Sequence, residues 1–217
     1  MKNKLKVITF SGVDGAGKSS VIQIIKTELE SMGYDVIELR SRPQILPILS
    51  SFKYGKINAE ESATNTMPRT GSNDSLISSL FRFMYYFSDY IFGQFYLSYK
   101  YQKDSTIIIY DRYYFDYIID PKRANIVLSE TLIKFLYKLI FKPDLNIFLF
   151  APANHILRRK NELDEETINN LTLKYKNLFN ELNKNNVEDY IAVENISLEY
   201  CTSDIINLVN KKLWLNI

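Results

Sequence analysis

Residues 12–19, GVDGAGKS, have the types and spacing of a loop that binds phosphate groups. They fit the pattern G-x-x-x-x-G-K-[ST], in which successive backbone N–H groups point toward the same phosphate oxygens. Gly12 and Gly17 permit the backbone angles and the close approach that such a ligand needs. Lys18 would reach the outer phosphates, and the Ser19 hydroxyl would ligate Mg²⁺. We call residues 12–19 the phosphate-binding loop.

A second candidate site is formed by Asp111 and Arg112, which follow the apolar run IIIY. In a Walker-B strand an aspartate at this place holds Mg²⁺ directly or through water. Alternatively, Asp111 only ends a strand. Arg112 favours the metal site, because an arginine at the carboxyl end of a strand faces the ligand crevice of an open α/β sheet. There it could bind a phosphate with two parallel hydrogen bonds.

A third candidate is the basic cluster Arg158, Arg159 and Lys160, which lies on a predicted helix after Pro152. Phosphoryl transfer requires positive charge around the moving group and exclusion of water. A short basic lid over residues 152–165 would supply both. The alternative is that these residues lie on a solvated helix face.

The elements that must position these residues can be predicted from the pattern of apolar residues. Continuously apolar runs indicate strands that are buried on both faces, as in a parallel sheet covered by helices. We predict strands over 7–10, 35–39, 106–111, 145–150 and 190–193. Helical spacing predicts helices over 17–32, 75–103, 129–141, 153–163, 165–184 and 202–215. The expected fold is a three-layer α/β domain.

The length and composition limit the classes of protein. With 217 residues, 46% of them hydrophobic, the chain is most simply a single domain, residues 1–217. The net charge of +2 gives no reason to expect a nucleic-acid partner or a membrane surface. The single cysteine suits the reducing cytoplasm. Residues 43–73 are rich in polar and turn-forming types, so we expect either a mobile solvated loop or a substrate-side segment.

The loop GVDGAGKSS, the segment DRYYFD and the segment RRKNELD together resemble the thymidylate kinase family of P-loop kinases. The resemblance implies a P-loop NTPase fold of the nucleoside monophosphate kinase type, with a five-stranded parallel sheet. It also implies ATP and Mg²⁺ as donor and cofactor, a nucleoside monophosphate as acceptor, and an adenine site near residues 194–200. The implied catalytic residues are Lys18, Arg112, Arg158 and Arg159, and the implied metal ligands are Ser19 and Asp111. The residues implied to bind ATP are Gly12, Asp14, Gly15, Ala16, Gly17, Lys18, Ser19 and Ser20.

Three positions depart from that family. A glutamate is usual before the first glycine of the loop, where this chain has Ser11. Members often carry a pattern like A-D-R-x-Q-H on the long helix before the DR strand, and SDYIFG takes its place here. Tyr90 therefore replaces an arginine that holds the acceptor phosphate, and Phe92 replaces a residue that reads the base. A tyrosine cannot bind a phosphate dianion as a guanidinium does, so we expect an acceptor other than dTMP.

The segment DRYYFDYIIDPKR is similar to a divergent branch of thymidylate-kinase-like proteins found with cell-surface polysaccharide enzymes. That branch combines the pattern D-R-x-x-x-D-x-x-x-D-P-x-R with an Arg-Pro pair after the second strand, and the matching residues here are Asp116, Asp120, Pro121 and Arg123 together with Arg42 and Pro43. Asp116 and Asp120 share a face in a helical segment. They could bind or deprotonate a sugar hydroxyl, or they could form only a polar helix start before a proline. The implied acceptor-binding residues are Asp14, Arg42, Tyr90, Asp116, Asp120 and Arg123.

The predicted helix over 80–101 is strongly aromatic. Its aromatic residues recur almost all round the helix, which indicates burial on more than one face. We interpret the helix as core together with a homodimer interface, since thymidylate kinases dimerise through helices. No segment of the chain is apolar enough to predict a membrane span.

The sequence therefore predicts an ATP-dependent cytoplasmic kinase of a nucleoside monophosphate or related small acceptor. One alternative is a kinase of a sugar-type acceptor in cell-surface polysaccharide metabolism. Another is an ATP-binding module without transfer activity.

Overall fold

Five short apolar segments form one parallel β-sheet in the structure, a computed structural model that describes residues 5–47, 49, 73–101, 105–160, 162–185 and 189–214. The strands are β1 (Lys6–Ser11), β2 (Asp35–Arg40), β3 (Thr106–Asp111), β4 (Leu145–Phe150) and β5 (Tyr190–Glu194). Their order is β2-β3-β1-β4-β5, and every pairing is parallel. The predicted α/β class with a five-stranded parallel sheet is confirmed.

Seven α-helices lie among the described residues. They are α1 (Lys18–Ser31), α2 (Leu76–Lys100), α3 (Phe115–Ile119), α4 (Glu130–Leu136), α5 (Ala153–Arg159), α6 (Glu165–Leu182) and α7 (Leu198–Trp214). None of these helices combines the length and hydrophobicity that crossing a bilayer requires. Most of the segment predicted to be mobile, 43–73, lies outside the described residues, which include only 43–47, 49 and 73 of it.

The described residues divide into two compact units. The first comprises those within Met1–Ser41, Tyr101–Tyr113 and Lys142–Ile217, and it contains the whole sheet. The second comprises those within Arg42–Lys100 and Tyr114–Phe141.

One face of the sheet in the first unit is covered by α1 and α7. Alternate strand residues such as Ile8, Ile109 and Ile147 pack there against Ile22 of α1 and Ile205 of α7. The side chains of consecutive strand residues point to opposite faces of the sheet. A continuous apolar run therefore places apolar side chains on both faces. The lone cysteine, Cys201, is buried in this layer, and burial raises the pKa of its thiol to about 11.

The opposite face of the sheet is covered at β4 and β5 by α6. Phe148 of β4 stacks on Tyr175 of α6 with ring centroids 4.6 Å apart, and Phe179 meets Tyr190 of β5 edge-on at 5.6 Å. Each aromatic pair of this kind contributes about 0.5–1.5 kcal/mol beyond its area burial. Helices therefore lie on both faces of the sheet within this unit.

The ends of α5 and α6 correct the predicted helix over 153–163. Helix α5 ends at Arg159, and Lys160 is extended, with φ −155° and ψ 119°. Helix α6 begins after Asp164, whose Oδ1 accepts a hydrogen bond from the N–H of Thr167 at 2.7 Å. An N-cap residue has non-helical backbone angles, so one helix cannot continue through Asp164.

The second unit is built around aromatic side chains of α2 and α3. The ring of Tyr90 meets those of Tyr114 and Tyr117 edge-on, with centroids 5.4 and 6.2 Å apart. Tyr114 also stacks on Tyr137, which follows α4 in a 3-10 turn over Tyr137–Leu139. The helix predicted over 129–141 is therefore shorter, because its last part is this turn.

Candidate phosphate-binding site

The phosphate-binding loop lies at the carboxyl end of the central strand of the sheet. It joins β1, which ends at Ser11, to α1, which begins at Lys18. This is the strand–loop–helix context that a phosphate-binding loop requires, since the helix N-terminus adds a favourable dipole for an anion. In register, Ser11 pairs with Phe148 of β4, and Phe10 pairs with Asp111 of β3. Asp111 therefore lies at the same edge of the sheet as the loop.

Two glycines of the loop are required by the space around them. A Cβ atom on Gly12, whose φ is +150°, would lie 2.2 Å from the carbonyl oxygen of Leu149. A Cβ atom on Gly17, whose φ is +91°, would lie 2.3 Å from Nδ2 of Asn195 and 3.5 Å from Nη1 of Arg159. Because no side chain fits at either place without displacing a neighbour, both positions hold the loop close to the sheet.

The Lys18 side chain folds back over the loop. Its Nζ donates hydrogen bonds to the carbonyl oxygens of Gly12 at 2.9 Å and Val13 at 3.0 Å. The residue is 6% exposed. Its ammonium group is thus held at the loop, and its predicted contact with the outer phosphates stays a prediction.

Asp111 has the environment expected of a residue that binds a cation. Its Oδ1 atom is buried and has no hydrogen-bond partner among the described residues. A buried carboxylate oxygen without a partner is unfavourable unless a cation or a donor satisfies it. Ser19, the other predicted metal ligand, lies exposed in the first turn of α1.

Arg112 is bound to the phosphate-binding loop. Its guanidinium donates to the carbonyl oxygen of Gly12 at 3.1 Å and to Oδ1 of Asp14 at 2.5 Å. The side chains of Arg112 and Asp14 are 7% and 13% exposed. The structure therefore brings two predicted site residues together as a buried ion pair. The role of Arg112 as a phosphate ligand stays a prediction.

The predicted lid helix, α5, packs beside the loop. Cγ2 of Ile156 lies 3.1 Å from the position that a Cβ on Gly15 would take, so α5 contacts the loop directly. Arg159 reaches Gly17, while both Arg158 and Arg159 are exposed in the last turn of the helix. The last turn of α5 thus carries two cations, and this helix contacts the phosphate-binding loop.

Asn195 lies in the segment 194–200 that the family resemblance implies near the adenine, but its contact with the phosphate-binding loop was not predicted. It follows β5 and donates from Nδ2 to the carbonyl oxygen of Ala16 at 2.9 Å. The pattern of the loop contains no sign of this contact, because the partner comes from the other end of the chain. Only its place directly after a strand of a parallel sheet could have marked it.

The predicted acceptor residues outside the loop lie in the second unit. Arg42 forms a hydrogen-bonded ion pair with Asp89, and its Nη1 also donates to the carbonyl oxygen of Leu46 at 2.7 Å. Tyr90 is 2% exposed and belongs to the aromatic core of this unit. The binding of an acceptor by these residues stays a prediction.

The remaining predicted acceptor residues surround the end of α3. Asp116 is buried within α3, and Asp120 follows the helix at its carboxyl end. The N–H of Asp120 donates to the carbonyl oxygen of Asp116 at 2.8 Å, and the N–H of Arg123 donates to that of Asp120 at 3.0 Å. These backbone bonds hold the three residues within one helical turn and the turn that follows it.

Asp89 is a second residue that the motifs did not predict. It is fully buried, and besides Arg42 it accepts hydrogen bonds from three consecutive backbone N–H groups. These belong to Gln44, Ile45 and Leu46, at 3.0, 2.9 and 3.0 Å. One carboxylate on α2 thus fixes the conformation of residues 42–46.

The residues present fit ATP and Mg²⁺. The loop has the glycines that a close phosphate needs, Lys18 supplies a cation, and Asp111 has an unsatisfied buried oxygen. Among the described residues there is no group of three His, Cys, Asp or Glu side chains that could hold a metal ion alone.

The described fold is a five-stranded parallel α/β fold with the phosphate-binding loop after its central strand. The chain is similar to thymidylate kinase from Ehrlichia chaffeensis, with a TM-score of 0.55 and 16% identity over 95% of this chain and 99% of that one. It is also similar to thymidylate kinase from Candida albicans, with a TM-score of 0.56 and 18% identity over 97% of this chain and 94% of that one. No protein-family model and no curated protein sequence matches the chain. The particular fold shown is that of the thymidylate kinases.

Proposed function

We propose that this protein is an ATP- and Mg²⁺-dependent phosphotransferase that phosphorylates a nucleoside monophosphate or a related small acceptor in the cytoplasm. The observation that carries the proposal is the loop between β1 and α1. It combines two glycines that exclude a side chain, a lysine held over the loop, and a nearby aspartate with an unsatisfied buried oxygen. These features together suit the binding of a nucleoside triphosphate with its metal.

Different residues of the first unit have different roles in the proposed phosphoryl transfer. The backbone N–H groups of the loop and Lys18 bind the outer phosphates, and Arg158 and Arg159 bring positive charge to the transferred group. Ser19 and Asp111 would hold Mg²⁺, which neutralises phosphate charge when bound. Arg112, anchored by Asp14, lies beside the loop and adds a further guanidinium.

The acceptor differs from dTMP in this proposal. Tyr90, which replaces the arginine expected for the acceptor phosphate, is buried among aromatic rings, and Phe92 is 64% exposed. Neither side chain offers a charge to an acceptor phosphate. The buried carboxyl group of Asp116 favours a second candidate acceptor with free hydroxyl groups, such as a sugar.

The substitution Lys18→Ala tests the proposal. We expect it to lower ATP-dependent phosphorylation by about 10²-fold or more, because one preorganised charge on the transferred phosphates is lost. The measurement is transfer of labelled phosphate from ATP to a panel of dTMP, other nucleoside monophosphates, nucleosides and sugars. A GTP preference of the wild-type chain would contradict the assignment of ATP.

The matched control is Lys26→Ala, which lies on the same helix and forms only a partly exposed pair with Glu30 at 3.9 Å. This variant should retain wild-type turnover, since exposed pairs contribute little. Equal turnover of Lys18→Ala and Lys26→Ala would refute the assigned role of the loop. ATP binding without transfer to any acceptor would favour a nucleotide-binding module, and efficient dTMP phosphorylation would refute the argument from Tyr90 and Phe92.

A further inference from the structure

Asn195 connects the last strand of the sheet to the phosphate-binding loop. Its backbone N–H donates to the carbonyl oxygen of Phe150 at 2.7 Å, which fixes the residue at the end of β4. Its side-chain Nδ2 donates to the carbonyl oxygen of Ala16 at 2.9 Å. The residue is 2% exposed, so this bond is shielded from competing water.

The orientation of the Asn195 amide is set by the loop. A carbonyl oxygen accepts hydrogen bonds and cannot donate, so the NH₂ group and not Oδ1 must face Ala16. Oδ1 is then left buried, with no partner among the described residues. A buried acceptor without a partner is unfavourable. The Asn195 side chain therefore keeps an orientation in which Nδ2 bonds to Ala16 although Oδ1 has no hydrogen-bond donor among the described residues.

The contact with Ala16 determines where the next N–H group points. In a trans peptide the C=O and N–H bonds lie in one plane and point in opposite directions. Because the carbonyl of Ala16 points to Asn195, the N–H of Gly17 points away from it. Gly17 has no Cβ, and this leaves room for the amide of Asn195, whose Nδ2 would lie only 2.3 Å from such an atom.

We propose that Asn195 is a positioning residue that turns the Ala16–Gly17 peptide so that the N–H of Gly17 faces a bound phosphate. The inference rests on the proposed function, since it assumes that the loop binds a nucleoside triphosphate. Asn195 acts through the peptide and does not itself touch the reacting atoms.

The test compares Asn195→Ala with Asn146→Ala. Asn146 is also a buried asparagine of the first unit, and its side chain is bonded to Thr9, Pro143 and Asp189, none of which belongs to the loop. Both variants lose a buried amide, so both should be less stable to urea. Calorimetric titration with Mg-ATP and with inorganic tripolyphosphate should show about tenfold weaker binding for Asn195→Ala only.

A near-isosteric variant, Asn195→Asp, gives a second measurement if the alanine variant does not fold. Its carboxylate cannot donate to Ala16 and adds negative charge near the phosphates, so binding should weaken by more than tenfold. In the wild-type chain, the NMR signal of the Gly17 N–H should shift strongly when tripolyphosphate is added. In either variant at Asn195 this shift should be reduced.

The outcomes separate the two proposals. Binding of tripolyphosphate by Asn195→Ala as tight as that of the wild-type chain would overturn the role of Asn195 alone. Equal weakening in Asn146→Ala would do the same, since it would show a general effect of lost stability. A wild-type chain that binds neither Mg-ATP nor tripolyphosphate would overturn the proposed function together with this inference.

Discussion

Arg112 has a backbone conformation that arginine rarely adopts. Its φ is +75°, in the left-handed region that residues other than glycine seldom occupy. The conformation is held from both sides. Its N–H donates to the carbonyl oxygen of Phe10 at 2.7 Å, and its guanidinium bonds Gly12 and Asp14. Strained residues that the surroundings hold in place are common at functional sites, and this one lies next to Asp111.

The substitution Asp14→Asn tests how far this arrangement depends on charge. The variant keeps the shape of the side chain but removes one negative charge that pairs with the buried guanidinium of Arg112. We expect the free energy of unfolding in urea to fall by about 1–3 kcal/mol, because a buried charge loses its partner.

The control for that experiment is Asp35→Asn, since Asp35 is an exposed residue at the start of β2. Its free energy of unfolding should stay within about 0.5 kcal/mol of the wild-type value. Equal losses in the two variants would show that the ion pair of Arg112 contributes nothing specific.

Residues that belong to a local motif could be predicted from the sequence, and residues that act across the chain could not. Lys18, Ser19 and Asp111 follow from fixed spacing within one strand and the loop or residue after it. Asn195 and Asp89 bind backbone groups that are far from them in the sequence. Asn195 and Ala16, for example, are separated by 179 positions. No local pattern records such a contact, because it depends on how strands and helices come together.

At the scale of elements, α2 serves as a support for residues 42–46. The fully buried carboxylate of Asp89 accepts three backbone N–H groups and the guanidinium of Arg42. Hydrogen bonds to a charged group contribute about 1.5–3 kcal/mol each before coupling between them is considered. The segment after β2 is therefore held by a single side chain of a distant helix.

The substitution Asp89→Asn should lower the free energy of unfolding by about 2–4 kcal/mol, as it leaves Arg42 without a counter-charge and places an NH₂ group among N–H donors. Urea denaturation followed by circular dichroism measures the loss. Asp74→Asn, an exposed residue just before the same helix, is the matched control and should change little. A loss for Asp89→Asn no larger than that of the control would contradict the supporting role.

The presence of the strands and helices was predicted better than the residues at which they begin and end. The strands were predictable because runs such as IIIY of β3 are apolar without alternation, which only a doubly covered sheet explains. The stop of α5 at Arg159 was missed because the periodic pattern continues past it. The start of α6 was predicted at residue 165, where Asp164 caps the helix.

At the scale of the whole molecule, the aromatic helix α2 carries a large exposed apolar surface. The exposed apolar side chains on it include Leu76, Ile77, Leu80, Phe81, Met84, Phe92, Phe95, Tyr96 and Tyr99. Large contiguous apolar patches mark interaction sites. The homodimer through this helix stays a prediction, and the exposed surface supports it.

Sedimentation velocity tests the homodimer. The wild-type chain should sediment with twice the monomer mass, and Phe95→Glu should shift it to the monomer, since a buried charge in an apolar interface is unfavourable. Phe135→Glu is the control, because Phe135 on α4 is similarly exposed, at 61% against 67% for Phe95. A monomeric wild-type chain at micromolar concentration would refute the prediction.

The bond between Asn195 and Ala16 has a consequence for how the chain matures on the ribosome. The loop is synthesised before Asn195, which follows Ala16 by 179 positions. A nascent chain carries the phosphate-binding motif for most of its synthesis but lacks the residue that orients the Ala16–Gly17 peptide. Because a long-range contact cannot form before both of its residues exist, tight nucleotide binding would arise only after residue 195 has been synthesised. Chains that terminate before residue 195 would then lack the residue that supports the loop.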